Sequence, residues 1–234
     1  MEKHEKPEAP QKPVRVFVVE DQPKILRNLL LLLEGFPQIE IVGNAQSGEE
    51  ALPAIAKLRP QVVLLDLGLP QMSGIDVTRE LKKTLPEIEI LIFTVFDEEE
   101  KVLQAVKAGA SGYLLKGVEA KKIIDAILDV KDGGSVIQPN LARSLLRQFR
   151  QLPPEPPRAE VKPEPPEAYP NLTAREVEIL QIIAKGLSNS EAAKVLNISR
   201  ATIRTHLEHI YEKLSVNNRV EAITEGIRKG LIDL

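Results

Sequence analysis

The chain has 234 residues, 43% of them hydrophobic and 28% charged, and 31 basic against 34 acidic side chains give a formal net charge of -3. That is globular composition for one or two domains, and no whole-chain basicity announces nucleic acid. The absence of cysteine excludes a disulfide framework, a thiolate metal site and a cysteine nucleophile, and fits a reducing compartment. The longest apolar run, Leu29 to Leu33, is far below the roughly 20 residues that span a bilayer, and the opening MEKHEKPEAPQKP has no apolar signal region. A cytoplasmic protein without a membrane partner is expected.

Proline marks the divisions of the chain. Of 18 prolines, three fall in residues 1–13 and eight in residues 151–170 (QLPPEPPRAEVKPEPPEAYP), a polar stretch with little to bury and the composition of a semi-extended linker. The expected organisation is a disordered tail over 1–13, a first domain with a trailing helix over 14–150, the linker over 151–170, and a second domain over 171–234.

In the first domain short, almost purely apolar runs alternate with amphipathic stretches. VRVFVV precedes a helix from Lys24 to Glu34, IEIVGNA a helix from Glu49, and QVVLLD a helix from Ile75. IEILIFT then precedes a helix from Glu98 to Ala108, and SGYLLK one from Glu119 to Lys131. Strands apolar on both faces with helices between them specify a doubly wound α/β fold with a five-stranded parallel sheet. Such sheets bind ligands at the carboxyl ends of their strands.

At those ends stand Glu20 and Asp21 after the first strand, Asp66 after the third, Thr94 closing the fourth and Lys116 closing the fifth. Neighbouring first and third strands bring the three carboxylates together, and like charges so held call for a hard divalent cation such as Mg2+. With a hydroxyl and an ammonium added, the set suits a phosphoryl group. Taken singly, a strand-terminal Asp is often a helix cap and a lone Lys a solvated surface group. The five together, each at a strand end, are a far more specific pattern.

Through VVED, VVLLDLGLPQMSGID, IFT and AGASGYLLK, residues 14 to 131 resemble the receiver domain of bacterial two-component response regulators. The resemblance implies that Asp66 accepts a phosphoryl group from a phosphohistidine of a sensor histidine kinase. It implies that Asp21, Asp66 and the backbone carbonyl of Gly68 bind Mg2+, with Glu20 acting largely through water. Thr94 and Lys116 would each hold a phosphoryl oxygen, and Tyr113 matches the switch aromatic that turns inward once the Thr has moved. Two residues depart from the pattern: Gly117 stands where many receivers have a proline after a cis bond, and Val95, where a smaller residue is common, would narrow access to the phosphoryl site.

The second domain reads as four helices. Thr173 with Glu176, and Ser188 with Glu191, have capping-box spacing, and Gly186 is placed to end the first helix. A third helix after Ser199 buries Ile203, Leu207, Ile210, Tyr211 and Leu214, and a fourth runs from about Arg219 to Lys229. Two helices joined by a short turn, the second longer and Ser-capped, have the helix-turn-helix pattern, which a plain helical bundle also satisfies. The face opposite the apolar stripe carries Ala201, Thr205, Glu208, His209 and Glu212 with Arg204 on its flank, short residues beside a guanidinium able to read guanine.

The run LTAREVEILQIIAKGLSNSEAAKVLNISRATIRTHLEHIYEKLSVNNRVEAI resembles the NarL/LuxR-type DNA-binding domain over nearly its whole length. The resemblance implies that Arg204 and Thr205 meet base edges, that Ser199, Thr202, His206 and Lys213 chiefly meet phosphates, and that the fourth helix dimerises on DNA. Glu208 stands where basic or small polar residues are frequent.

The resulting expectation is a transcriptional regulator rather than a turnover enzyme, with a sensor histidine kinase and promoter DNA as partners and a homodimer on activation. One rival is a haloacid-dehalogenase-type phosphohydrolase, whose DxD nucleophile would fall where Glu20-Asp21-Gln22-Pro23 stands. The other is an autoinducer-sensing regulator, whose aromatic-lined pocket suits poorly a chain with no Trp and 3% aromatic residues.

Overall fold

The computed structural model describes residues 12–137 and 172–232. The N-terminal tail, the trailing helix of the first domain and the proline-rich linker expected from the sequence lie outside the described residues.

The first domain alternates strands and helices as expected: β1 Val14–Val19, α1 Pro23–Glu34, β2 Ile39–Ala45, α2 Gly48–Leu58, β3 Val62–Leu65, α3 Gly74–Thr84, β4 Glu89–Thr94, α4 Glu99–Lys107, β5 Gly112–Leu115 and α5 Ala120–Lys131. The strands are parallel in the order β2-β1-β3-β4-β5. A two-residue strand, β6 Val136–Ile137, is added beside β5. Polar side chains start the helices where the chain leaves the sheet: Ser47 accepts from the Glu50 amide and Ser73 from the Asp76 amide.

Two apolar layers sandwich the sheet. Phe17, Val63, Leu65, Ile90 and Ile92 face one, with α2, α3 and α4, and Val16, Val18, Leu64, Leu91 and Leu114 face the other, with α1 and α5. Chain order reverses between β1 and β3, so the crevice at their carboxyl ends is where this topology places a ligand.

The second domain comprises α6 Ala174–Ala184, α7 Asn189–Leu196, α8 Arg200–Leu214 and α9 Arg219–Arg228. Both expected capping boxes form, at Thr173/Glu176 and Ser188/Glu191. Ile203, Leu207, Ile210 and Leu214 of α8 pack against Ile179, Leu180 and Ile183 of α6, whereas Tyr211 is half-buried. Each of these fully buried aliphatic side chains contributes roughly 1.5 to 3 kcal/mol, so this core fixes the pose of α8.

Candidate phosphoryl site and nucleic-acid interface

β1 and β3 end side by side and deliver Glu20, Asp21 and Asp66 to one crevice, with carboxylate oxygens within 4.8 Å of one another. β4 and β5 deliver Thr94 and Lys116. The Lys116 Nζ bridges the acids, 2.6 Å from Glu20 Oε2 and 2.6 Å from Asp66 Oδ2. Asp66 Oδ1 accepts from the Gly68 amide at 3.2 Å, and Glu20 Oε1 from the Gln22 amide at 3.3 Å. Among the described residues, two buried oxygens, Asp21 Oδ1 and Thr94 Oγ1, have no hydrogen-bond partner. A buried polar atom left unpaired costs stability, so such atoms mark a place meant for a ligand.

Burial pushes the Glu20 pKa up, with Asp66 adding and Lys116 opposing. For Lys116 burial works against the charge, but the hydrogen bonds to Asp66 and Glu20 outweigh it and raise the pKa above its ordinary value. The ammonium therefore stays charged between two carboxylates that would otherwise repel each other.

Gly74 lets α3 start directly beneath Asp66. A Cβ there would lie 2.2 Å from the Asp66 carbonyl oxygen, and the Gly74 amide donates to Leu67 O. Tyr113, whose inward turn was expected to follow movement of Thr94, is fully buried, and its hydroxyl donates to the Phe96 carbonyl at 2.8 Å.

On α8, Ser199 accepts from the Thr202 amide at 3.0 Å, and the two hydroxyls lie 2.8 Å apart. Arg204, Thr205 and Glu208 are exposed and His206 is half-buried. Arg204 Nε lies 3.3 Å from Glu208 Oε1, one turn further along. Lys213, expected to meet DNA phosphates, is 2.9 and 2.8 Å from the two carboxylate oxygens of Glu176 and ties the end of α8 to the start of α6.

Residues 16–128 match the family described as Response regulator receiver domain, and residues 170–225 match Bacterial regulatory proteins, luxR family. The chain is 35% identical over 219 residues to the response regulator protein VraR of Staphylococcus aureus, covering 94% of this chain and 99% of that one. It is 31% identical over 226 residues to the transcriptional regulatory protein DegU of Brevibacillus brevis, covering 94% and 95%. Among solved structures it is similar to the response regulator ChrA of a heme-sensing two-component system, with 35% identity, a TM-score of 0.50, and coverage of 95% of this chain and 100% of that one. The chain belongs to the LuxR-type two-component response regulators.

In this response regulator the departures noted in the sequence have structural counterparts. Gly117 takes φ +95 directly after Lys116, and there is no cis peptide bond among the described residues. Val95 is 64% exposed, and the ring that approaches Gly68 is that of Phe96, whose Cε2 would lie 3.3 Å from a Cβ built there. Lys101 Nζ lies 3.2 Å from the Phe96 ring centroid on the outer side of this loop. Apolarity and periodicity carry no sign of Phe96's place; its position two residues after Thr94 is the one available signal.

The two domains of the regulator are in contact through residues that the sequence did not single out. Asn218, the N-cap of α9, donates from Nδ2 to Val106 O at the end of α4, at 2.6 Å. Arg219, nearly fully buried, donates to the carbonyls of Ile183, Leu187 and, across the interface, Gly133. Arg200 Nη1 meets Asp132 Oδ1 at 2.5 Å. A cavity of about 560 Å³ lies between the domains, lined by Lys82, Glu89 and Ser111 on the receiver side and by Arg204, Glu208 and Tyr211 of α8. Among the described residues no helix is long and apolar enough to cross a membrane.

Proposed function

We propose that this chain is a phosphorylation-activated regulator of transcription that takes its phosphoryl group on Asp66 and acts in the cytoplasm as a homodimer on promoter DNA. The observation that carries the reading is the crevice in which Lys116 bridges Glu20 and Asp66 at 2.6 Å while Asp21 Oδ1 and Thr94 Oγ1 stay buried and unpartnered among the described residues.

An oxygen of the Asp66 carboxylate attacks the phosphorus of a phosphohistidine on a sensor histidine kinase. The new O–P bond forms as the P–N bond breaks, and the imidazole leaves with the electron pair and takes a proton. Lys116 follows the negative charge from the carboxylates to a phosphoryl oxygen, and Thr94, its hydroxyl free, donates to another. The fit for Mg2+ rests on oxygen donors alone, three carboxylates within 4.8 Å and an orphaned Asp21 oxygen. Asp21, Asp66 and the Gly68 carbonyl would hold the ion, with Glu20 acting through water. When bound, Mg2+ supplies positive charge that offsets the phosphoryl oxygens.

Arg204 and Thr205 are the base-reading side chains of this proposal, and Ser199, Thr202 and His206 approach phosphates. Lys213, held by Glu176, anchors α8 for that approach. The receiver occupies the start of α8 and α9, so release of these contacts is the step by which phosphorylation raises DNA binding and dimerisation. The chemistry ends on the protein's own carboxylate, which makes it a regulator and not a turnover enzyme.

Incubation of the full chain with acetyl phosphate and Mg2+, followed by intact-mass measurement and sedimentation, tests the reading. Wild type is expected to gain one phosphoryl group and to dimerise, and Asp66→Asn to do neither. Equal incorporation into Asp66→Asn would overturn the assignment of the acceptor.

A further inference from the structure

Helix α5 ends at Lys131, and Asp132 caps it, its amide donating to the carbonyls of Leu128 and Asp129. Helix α8 begins at Arg200, capped by Ser199. One ion pair joins the two ends. Asp132 Oδ1 is 2.5 Å from Arg200 Nη1 and 3.3 Å from Lys131 Nζ. A carboxylate at the negative end of one helix thus pairs with a guanidinium at the positive end of another.

A helix N-terminus flanked by an arginine is also what a DNA backbone phosphate seeks. Arg204, one turn further on, lines the interdomain cavity together with Arg200 and faces Glu89 and Lys82 across it. Burial and the nearby Arg204 both press the Lys82 pKa downward, against the opposing pull of Glu89. The Arg200 and Arg204 side chains both stay about half exposed, and Asp132 supplies the oxyanion on the receiver side.

We propose that Arg200 is a DNA-backbone contact of this protein and that Asp132 occupies the place of the phosphate, so that receiver and DNA compete for one guanidinium. The inference rests on the reading of the chain as a DNA-binding regulator and adds a residue to it. Arg200 Nη1, 2.5 Å from Asp132 Oδ1, cannot donate to a phosphate while it holds that carboxylate. Asp132 is 68 positions away from Arg200 in sequence, and only the docking of the two domains joins them.

The test is fluorescence anisotropy of the full chain on a random-sequence duplex and on a duplex selected with the phosphorylated protein, each across a salt series. Asp132→Asn, which keeps the shape and the cap, is expected to tighten binding of the unphosphorylated chain roughly three- to tenfold on both duplexes, in the range of a partly exposed ion pair lost from the competing state. Arg200→Ala is expected to weaken the phosphorylated chain on both duplexes alike and to lower the salt slope by about one. In the Arg200→Ala background Asp132→Asn should add nothing. A gain that persists there would mean that removing any receiver carboxylate helps, and would overturn the proposal, as would no gain from Asp132→Asn alone. Arg200→Lys, which keeps the charge, should restore the slope; a slope still reduced would show that Arg200 acts on the fold of α8 and not on phosphate. If the phosphorylated wild type binds neither duplex, the DNA-binding reading falls as well. If it binds and Asp132→Asn changes nothing, only this inference falls.

Discussion

The hydroxyl of Tyr113 donates to the backbone carbonyl of Phe96 at 2.8 Å, which ties β5 to the loop that leads from Thr94 into α4. The same loop lays the Phe96 ring beside Gly68, two residues from Asp66. One hydrogen bond thus links the strand that leads into Lys116 with the loop beside the candidate phosphoryl site. Tyr113→Phe leaves the Phe96 carbonyl unpaired and is expected to lower receiver stability by about 1 kcal/mol. Asp66, Thr94 and Lys116 are untouched by that change, so phosphorylation by acetyl phosphate should persist. Urea denaturation with a parallel mass assay checks both halves; an unchanged midpoint would mean that the bond adds no stability.

Gly74→Ala should be the more damaging of two glycine substitutions near the site. Its Cβ would fall 2.2 Å from the Asp66 carbonyl oxygen, and a backbone atom directly after a central strand cannot step aside as a flexible side chain can. A loss of about 2 to 3 kcal/mol is expected, with slower phosphorylation as Asp66 is displaced. Gly117→Ala meets nothing within 4 Å but must hold φ +95, so its cost is conformational, about 1 to 2 kcal/mol. A comparison of the two urea midpoints checks the order.

Glu176 makes the helical domain sensitive to acid. Burial works to raise its pKa, but the hydrogen bonds from Lys213 and Thr173 prevail and hold the carboxyl below its ordinary value of 4.5. A group whose folded pKa is depressed adds stability that is complete above the unfolded value and is lost as pH falls through the folded one. Glu176→Gln should therefore be less stable at neutral pH, and the difference from wild type should shrink as pH drops below about 4.5. Urea melts followed by circular dichroism across that range check the sign.

Arg204 and Glu208 form the i, i+4 pair that their spacing allows, at 3.3 Å, both side chains being more than half exposed. A pair so exposed is worth little to stability, roughly 0.2 to 0.5 kcal/mol, but it is placed to orient the guanidinium. If Arg204 reads a base as proposed, Glu208→Ala is expected to weaken discrimination at that base, and to add little once Arg204 is already alanine. Binding of both single variants and the double variant to single-base-changed duplexes measures the coupling, and additive losses would remove the orienting role.

Much of this molecule was legible in its residues. VRVFVV, QVVLL and IEILIFT are apolar on both faces, which a strand between two helical layers requires, and the acids, Thr94 and Lys116 follow them at the ends where a parallel sheet opens to ligand. Thr173 with Glu176 and Ser188 with Glu191 announced their helices because a capping box is a contact between residues three apart. Such signals are local, and local sequence holds them.

What the tertiary structure alone decided is which charges meet. Val136–Ile137 has too few residues to show a strand period, and it pairs only because β5 offers a free edge. Lys213 looked like a DNA-facing cation until the packing of α6 on α8 brought Glu176 to it across 37 positions. Arg219 was legible only as the start of the fourth helix, and folding buries it among carbonyls of both domains. Arg200 and Asp132 carry no mark of each other. Periodicity and capping act over a few residues along the chain, whereas Coulomb attraction acts through space, and its partners are set only when separate elements have packed.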